Sequence, residues 1–471
     1  MKLYNLIECE NSLKELEISG ITCNSKEVKE GFAFVCIRGS KVDGHIFAKD
    51  VLEKGAAVIV CEEDLGIKNQ IIVSNTHSAY AKMCANWFHN PAKSLKLLGV
   101  TGTNGKTSIT YMLKSILEFC GFKTGLVGTI QNMVGQEVIE SKNTTPNAYE
   151  LNELFSLMKE KGCEYVIMEV SSHALDQCRV YDLDFDVAMF TNLTQDHLDY
   201  HITMENYLEA KKKLFKMCKT AVVNLDDKYA EDLLFDLDCK KVTYSTGNNS
   251  TYSANGIKYN PTSVEYEFVS NDIIKHIKVN TGGKFTVYNS LCALACAVES
   301  GIPIEKAADA LKNLFGVKGR AEVVPTGKDF TVVIDYAHTP DGLKNILKTF
   351  RECQKNRLIV LFGCGGDRDK TKRPLMGEVA VGYADYVIVT SDNPRTENPT
   401  DIINDILKGM KGAATPYEVI ENRIEAIKFA ISIAQKDDII VLAGKGHETY
   451  QIIGTQTIHL DEREVVAEAL S

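Results

Sequence analysis

Residues 99–108 read Gly99-Val100-Thr101-Gly102-Thr103-Asn104-Gly105-Lys106-Thr107-Ser108. The apolar run Leu97-Leu98-Gly99-Val100 leads into this turn and predicts a buried strand. After the turn, apolar residues fall at 109, 112, 113, 116 and 117, which is one face of a helix. A glycine-rich turn between a strand and an amphipathic helix is the context of a phosphate-binding loop. Glycines let backbone N–H groups turn toward phosphate, and the helix N-terminus adds the positive end of its dipole. In that reading Lys106 neutralises the β- and γ-phosphates of a nucleotide and Thr107 ligates Mg²⁺. The spacing departs from the usual G-x-x-x-x-G-K-[ST], because residue 100 is Val and the nearer glycine is Gly102. The bland alternative is a glycine-rich turn carrying a surface lysine. The flanking strand and helix weigh against it.

Downstream the pattern of strand, turn and helix repeats. Tyr165-Val166-Ile167-Met168, Val187-Ala188-Met189-Phe190 and Ala221-Val222-Val223 are apolar runs that each end in polar residues. Buried parallel strands read this way, with functional groups on the loops at their carboxyl ends. Glu169 ends the first run and precedes Val170-Ser171-Ser172-His173, where an acid can hold Mg²⁺ or its water. Asn192 to His201 is crowded with polar groups. His197 within it reads equally as a metal ligand and as a satisfied structural residue. Ala210-Lys211-Lys212-Lys213-Leu214-Phe215 reads, on composition, as a solvated basic helix face.

Upstream, Phe32–Ile37 and Ala56–Val60 look like strands, and Asn90-Pro91 punctuates the chain. Between about 241 and 285 the texture changes to period-two alternation, as in Ser263-Val264-Glu265-Tyr266-Glu267-Phe268, which predicts an antiparallel insertion. A helical segment follows around 288–315, and Gly316 to Gly327 reads as a linker. The remaining residues repeat the α/β pattern, with strands expected at Thr331–Ile334, Leu358–Phe362, Tyr386–Val389 and Ile439–Leu442. The loops after them hold Asp335-Tyr336-Ala337-His338, Gly365-Gly366-Asp367-Arg368, Asp392-Asn393-Pro394-Arg395 and Gly444-Lys445-Gly446-His447-Glu448. Four such loops at one sheet edge would build a pocket. Arginine forks suit carboxylates and Glu448 suits an ammonium, so the composition fits an amino-acid ligand. The expectation is an α/β chain of three domains, at 1–91, 92–320 and 321–471. At about 150 residues per domain, a length of 471 agrees with three.

Composition narrows the function. Hydrophobic residues make up 44% and charged residues 25%, as in soluble globular proteins. With 53 Lys plus Arg against 63 Asp plus Glu, the net charge of −10 argues against general nucleic-acid binding. Met1–Glu8 lacks the basic start and apolar run of a signal peptide, and no stretch approaches membrane-spanning length. A cytoplasmic protein that does not engage membranes is expected. The 14 cysteines form no Cys-x-x-Cys pair, and Cys292 and Cys296 sit i,i+4 on an apolar helix, which reads as core packing by reduced thiols.

Together these motifs resemble the Mur ligase family, over nearly the whole chain and in order: Gly102–Thr107, Glu169–His173, Asn192-Leu193 with Asp196-His197, Asp335–Pro340 and Gly444–Glu448. The family's own phosphate loop has the same unusual spacing. The resemblance implies an N-terminal α/β UDP-binding domain, a central P-loop ATPase-like parallel-sheet domain with a small antiparallel insertion, and a C-terminal Rossmann-like α/β domain. It implies ATP and Mg²⁺, and amide formation through an acyl phosphate over which the domains close. Within the family the chain looks like the MurE type, which adds the third residue of the stem peptide. Asp392-Asn393-Pro394-Arg395 is similar to the motif of enzymes that add meso-diaminopimelate to UDP-N-acetylmuramoyl-L-alanyl-D-glutamate.

Residue by residue, the resemblance places ATP on Gly102, Thr103, Asn104, Gly105, Lys106, Thr107, Ser108, Asn289, Arg320, Asp335 and His338. It places the nucleotide-sugar peptide between the first two domains, on Ser25, Thr144, Thr145, Ser171, Gln177 and Arg179. The amino acid falls to Arg368, Asp392, Asn393, Pro394, Arg395, Gly444 and Glu448. Lys211 matches a lysine carbamylated by CO₂, so the implied catalytic set is Lys106, Glu169, His197 and Lys211. Thr107, Glu169, His197 and carbamylated Lys211 are the implied metal ligands. Around Ser25 the family usually has Asp-Ser-Arg where this chain has Asn24-Ser25-Lys26, and it commonly has Phe-Asn where this chain has Phe285-Thr286. A monomer is expected. The other readings are the same reaction with L-lysine, another ligase of the superfamily such as a folylpolyglutamate synthase, and an ATP-driven switch that makes no bond.

Overall fold

The computed structural model describes every residue except 40, 41, 248, 272 and 315. The chain forms two compact units, Met1–Thr251 with Cys292–Pro303, and Tyr252–Leu291 with Ile304–Ser471.

In the first unit, Gly20–Thr22, Phe32–Val35, Val58–Cys61 and Gln70–Ile72 form a four-stranded parallel sheet. Its core gathers Leu3, Leu6, Ile18, Ala33, Val35, Val58 and Val60. A larger sheet carries the phosphate loop. Its strands lie in the order Lys240–Ser245, Cys218–Asn224, Phe185–Phe190, Lys96–Thr101, Tyr165–Glu169, Thr124–Val127, Asn132–Val134 and Glu137–Ile139. The first six are parallel to their neighbours, and the last two turn back antiparallel.

This strand order sets the site. From Lys96–Thr101 the chain first builds the sheet on one side and later crosses to the other, so Lys96–Thr101 is a topological switch point. Ligands bind outside the carboxyl ends of parallel strands at such points. Val100 pairs with Glu169 and Thr101 with Phe190, so three loops leave the sheet side by side. The helix Lys106–Phe119 buries Ile109, Met112, Leu113, Ile116 and Leu117, the face the periodicity predicts. Gly99 is dictated by packing, because an added Cβ would sit 2.8 Å from the ring of buried Phe185.

In the second unit, Tyr252–Asn260, Ser263–Val269 and Ile274–Val279 form an antiparallel meander. A second sheet orders Glu322–Val324, Thr331–Asp335, Ile439–Ala443, Leu358–Phe362, Tyr386–Val389 and Tyr417–Val419. All its pairs are parallel except the first. The four polar loops therefore emerge from adjacent strands at one edge. Among the described residues no helix is long and apolar enough to cross a membrane.

Two segment readings are corrected. Lys240–Ser245 is a parallel strand, so the antiparallel meander starts only at Tyr252. Buried Val242 and Tyr244 alternate with polar residues, and alternation does not report strand direction. The segment 316–327 is not merely a linker, since Glu322–Val324 pairs antiparallel with Thr331–Asp335. Cys292 and Cys296 are both buried on the helix Lys284–Glu299, as packing residues.

Candidate active site

The phosphate loop is built on two glycines in conformations that other residues rarely adopt. Gly102 has φ +145° and Gly105 φ +91°, and the helix begins at Lys106. A Cβ on Gly102 would collide with Thr191 Oγ1. The residues after the neighbouring strand hold the loop. Thr103 N donates to Asn192 O (2.8 Å), Asn104 N to Asn192 Oδ1 (3.0 Å), and Thr191 Oγ1 to Asn104 O (2.6 Å). Lys106 folds back so that Nζ donates to Gly102 O (2.9 Å) and Thr103 O (2.8 Å). Ser108 follows on the helix's first turn, partly buried.

Glu169 is 1% exposed at the end of its strand. Its Oε2 accepts from Thr107 Oγ1 (3.1 Å) and Thr129 Oγ1 (3.0 Å), and its Oε1 from Thr129 N (2.9 Å). A Cβ on Gly128 would stand 2.6 Å from Oε1, so that glycine makes room for the carboxylate. Thr107 and Glu169 thus bring hard oxygen donors together beside the loop, a donor type that fits Mg²⁺.

Lys211 overturns the composition-based reading of its helix. It is 1% exposed, whereas Lys213 faces solvent. Its Nζ donates to Gly102 O (3.0 Å) and lies 4.5 Å from the Tyr207 ring centroid. Burial, and after it the charge of Lys106, push the ammonium well below its ordinary range; Asp196 opposes this. The helix turns this one lysine inward because Tyr207, Leu208, Leu214 and Phe215 form its buried stripe. His197 has φ +53°, and its Nε2 is 3.5 Å from Asp196 Oδ2. Its ring stands 4.9 Å from that of His173. Burial, then the charges of His197, His201 and Arg179, lower His173 to about 4. Among the described residues no three His, Cys, Asp or Glu side chains gather as a ready metal cage.

Beside this lies a polar cluster. Thr145 Oγ1 donates to Glu169 O (2.8 Å) and accepts from Ser171 N (3.0 Å). Thr144 Oγ1 is 3.0 Å from Thr129 Oγ1. Arg179 donates to Thr145 O (2.8 Å) and, through Nη2, to Gln177 Oε1 (2.7 Å). Ser171, Gln177, Arg179, Thr144 and Thr145 are therefore one hydrogen-bonded patch contiguous with Glu169. Ser25 stands apart from it in the N-terminal sheet region, partly buried, with its carbonyl accepting from Lys54 Nζ (3.0 Å).

In the second unit, Asp335 Oδ1 and Oδ2 accept from Ala337 N (2.8 Å) and Ala321 N (2.7 Å). Burial raises its carboxyl all the same, against the pull of Arg320. The Arg320 guanidinium lies 4.9 Å from the Tyr336 ring centroid. His338 Nδ1 is 2.8 Å from Tyr336 O, and Asn289 is buried on the helix Lys284–Glu299.

The loops after Leu358–Phe362, Tyr386–Val389 and Ile439–Ala443 do converge. Arg395 Nη1 donates to Gly366 O (2.9 Å), and a Cβ on Gly365 would stand 2.9 Å from Nη1. A Cβ on Gly444, at φ +115°, would stand 2.8 Å from Asp392 Oδ2. Asn393 Nδ2 donates to Glu448 Oε2 (2.9 Å). Buried Pro394 packs its carbonyl against Gly366. Arg368 is exposed and donates to Asp367 O (3.1 Å).

Comparison with known proteins gives the family. The Mur ligase family, catalytic domain, matches residues 17–98; the Mur ligase middle domain matches 100–297; and the Mur ligase, glutamate ligase domain, matches 319–446. The UDP-N-acetylmuramoyl-L-alanyl-D-glutamate--2,6-diaminopimelate ligase of Caldanaerobacter subterraneus subsp. tengcongensis is 50% identical, over 97% of this chain and 95% of that one. A ligase of the same name, numbered 1, from Clostridium acetobutylicum is 49% identical, over 96% and 95%.

The chain belongs to the Mur ligase family.

A solved structure of a 2,6-diaminopimelate ligase of that name superposes on this Mur ligase with TM-score 0.75 at 32% identity, covering 100% of this chain and 98% of the other. Several of its site residues carry no signal in the sequence. Thr129 follows a short strand with no motif, yet it supplies two of the three bonds to Glu169. Lys445 looks like a solvated charge in a glycine-rich loop but is fully buried. Only the pairing of parallel strands brings either to its place.

Proposed function

We propose that this chain is an ATP-dependent ligase that adds meso-diaminopimelate to UDP-N-acetylmuramoyl-L-alanyl-D-glutamate in peptidoglycan precursor synthesis. The observation that carries this is the convergence of Asp392–Arg395 with Gly444–Glu448, in a chain half identical to a diaminopimelate ligase along nearly its full length.

The reaction has two steps. The γ-carboxylate of D-glutamate attacks the γ-phosphorus of ATP; the bond to the β,γ-bridging oxygen breaks, and ADP leaves. The amine of diaminopimelate then attacks the acyl carbon, phosphate leaves, and the nitrogen gives up a proton. Phosphorylation is needed because oxide is a poor leaving group. The loop N–H groups and Lys106 cradle the phosphates and offset charge on the transferring group. Thr107 and Glu169 would hold Mg²⁺, which supplies further charge neutralisation at the phosphates. Lys211 and His197 complete the proposed metal set once Lys211 is carbamylated, R–NH₂ + CO₂ → R–NH–COO⁻ + H⁺. Burial and Lys106 favour that step by favouring the neutral amine. The cationic Lys106 also favours the product, an anion beside it.

Ser171, Thr144, Thr145, Gln177 and Arg179 are assigned to the muramoyl peptide and Ser25 to the uridine diphosphate. Gly102–Ser108, Asn289, Arg320, Asp335 and His338 are assigned to ATP. In the amino-acid pocket Arg395 and Arg368 take carboxylates, Glu448 and the Gly444 carbonyl take an ammonium, and Asp392, Asn393 and Pro394 shape the wall. We take the domains to divide at 91/92 and 320/321, and the working enzyme to be a cytoplasmic monomer.

The test is ADP release with ATP, Mg²⁺ and the nucleotide-sugar dipeptide, with meso-diaminopimelate and L-lysine in parallel. Turnover with diaminopimelate and about 100-fold less with lysine is expected, because lysine leaves the partly buried Arg395 without a carboxylate partner. Equal turnover with lysine would remove the diaminopimelate assignment. ADP release that needs neither substrate would leave an ATP switch.

A further inference from the structure

Lys445 has no exposed surface, and its side chain ends among the residues assigned above to the amino-acid pocket. A buried ammonium is costly unless paired and hydrogen-bonded. Here Nζ lies 3.0 Å from Glu448 Oε2 and 3.2 Å from Asn393 Oδ1, with the Tyr450 ring centroid at 5.5 Å. Asn393 closes the ring by donating from Nδ2 to the same Glu448 oxygen. Its Oδ1 also accepts from Ile452 N (3.0 Å). Asn393 Oδ1 thus takes two donors within the protein and Nδ2 gives one N–H to Glu448, while Glu448 Oε2 takes two donors. The Glu448 side chain is 14% exposed, and its remaining oxygen, Oε1, is the one for a ligand ammonium.

We propose that Lys445 is a positioning residue for diaminopimelate, clamping Glu448 and Asn393 so that Glu448 Oε1 meets the ammonium of the incoming amino acid. This rests on the pocket assignment above. Lys445 acts through Glu448, so it touches no reacting atom. The clamp draws Asn393 into the Lys445–Glu448 ring, where its Oδ1 takes both of its donors from within the protein. It also gives the lysine of the Gly444–Glu448 loop a purpose distinct from phosphate binding.

The test uses the full-length enzyme and three variants, K445M, E448Q and K445M/E448Q. Methionine keeps the volume and removes the charge. The rate is followed against diaminopimelate at saturating ATP, Mg²⁺ and nucleotide-sugar dipeptide. A second assay replaces the amino acid with hydroxylamine, which traps the acyl phosphate as a hydroxamate, with release of phosphate, and needs no amino-acid pocket. Each single variant is expected to raise KM for diaminopimelate about tenfold or more with kcat within about threefold, because a charge-assisted contact is lost. The double variant should be no worse than the poorer single one, since residues of one network are not additive. Hydroxylamine-supported ADP release by K445M should stay within about twofold of wild type. Multiplying effects in the double variant would overturn the clamp. So would an unchanged KM in K445M, or a parallel loss of hydroxylamine turnover, which would make Lys445 a support of the fold. If the wild type accepts another amino acid instead, the diaminopimelate assignment fails, and the same cycle with that amino acid still decides the role of Lys445.

Discussion

Thr107 Oγ1 donates to Glu169 Oε2 across 3.1 Å, joining the first turn of the phosphate-loop helix to the carboxyl end of the adjacent strand. Parallel pairing of Lys96–Thr101 with Tyr165–Glu169 makes that contact possible. With Thr129 completing the shell, Glu169 stays a buried but satisfied carboxylate. Glu169→Gln keeps the shape but loses the charge. It should lower ADP formation by about 100-fold or more and raise the Mg²⁺ concentration for half-maximal rate. Titration of Mg²⁺ against rate checks this; a variant with wild-type turnover and Mg²⁺ dependence would take Glu169 out of the metal site.

Lys211 makes a second prediction. Among the described residues the Lys211 ammonium has no carboxylate partner and faces the charge of Lys106, which a carbamate would turn into an opposite-charge pairing. Wild-type protein given ¹³C-bicarbonate should show a carbamate carbon resonance, and Lys211→Ala should not. The variant should also lose about 100-fold or more in ligase rate, in keeping with the loss of a metal ligand. A labelled resonance that survives in Lys211→Ala would place the carbamate elsewhere.

Much of this was legible from local pattern. The phosphate loop, the buried face of its helix and the strands ending at Thr101, Glu169, Phe190, Asn224, Asp335, Phe362, Val389 and Ala443 follow from local pattern, since each signal lies within about 15 residues. What stayed hidden depends on partners far along the chain. Lys211 reads as one of three consecutive lysines, and only its place on the helix over Gly102 turns it inward. Thr129 meets Glu169 from 40 residues away. Glu322–Val324 is too short to announce itself, and Lys240–Ser245 alternates like an antiparallel strand while pairing parallel.

A third prediction concerns pH. His447 is lowered to about 4 by burial, and then by the charges of Arg320, Lys318, Arg463 and Lys445. Its Nδ1 is buried without a hydrogen-bond partner among the described residues. A Cβ on Gly319 would collide with the His447 backbone, so the loop cannot readily swing away. The unfolded chain binds this proton near pH 6.5 and the folded chain only near 4, so the unfolded state holds more protons between those values. The contribution of His447 to stability is complete above about pH 6.5 and falls as pH drops toward 4, by no more than about 3 kcal/mol. Urea midpoints from pH 7 to 4.5 should fall less steeply in His447→Gln than in wild type. Parallel slopes would mean that His447 titrates normally.

The last prediction is one of selectivity. The Arg395 backbone is fixed by the hairpin Tyr450–Ile453 with Gln456–His459, through Arg395 N to Ile452 O (3.1 Å) and Gly454 N to Arg395 O (2.7 Å). Its side chain is tethered at Nη1 by the Gly366 carbonyl, which satisfies an N–H but not a charge. The fork is therefore aimed before any ligand arrives, and a carboxylate that meets it gains paired hydrogen bonds without ordering the arginine. The distal carboxylate of diaminopimelate can do this, and L-lysine has none. Arg395→Ala should lower kcat/KM for diaminopimelate by about 100-fold while changing that for L-lysine by less than about threefold, because lysine never used the fork. Arg395→Lys should fall between, as an ammonium keeps the charge but not the bidentate geometry. Equal losses for both amino acids would mean that Arg395 supports the loop and does not choose the substrate.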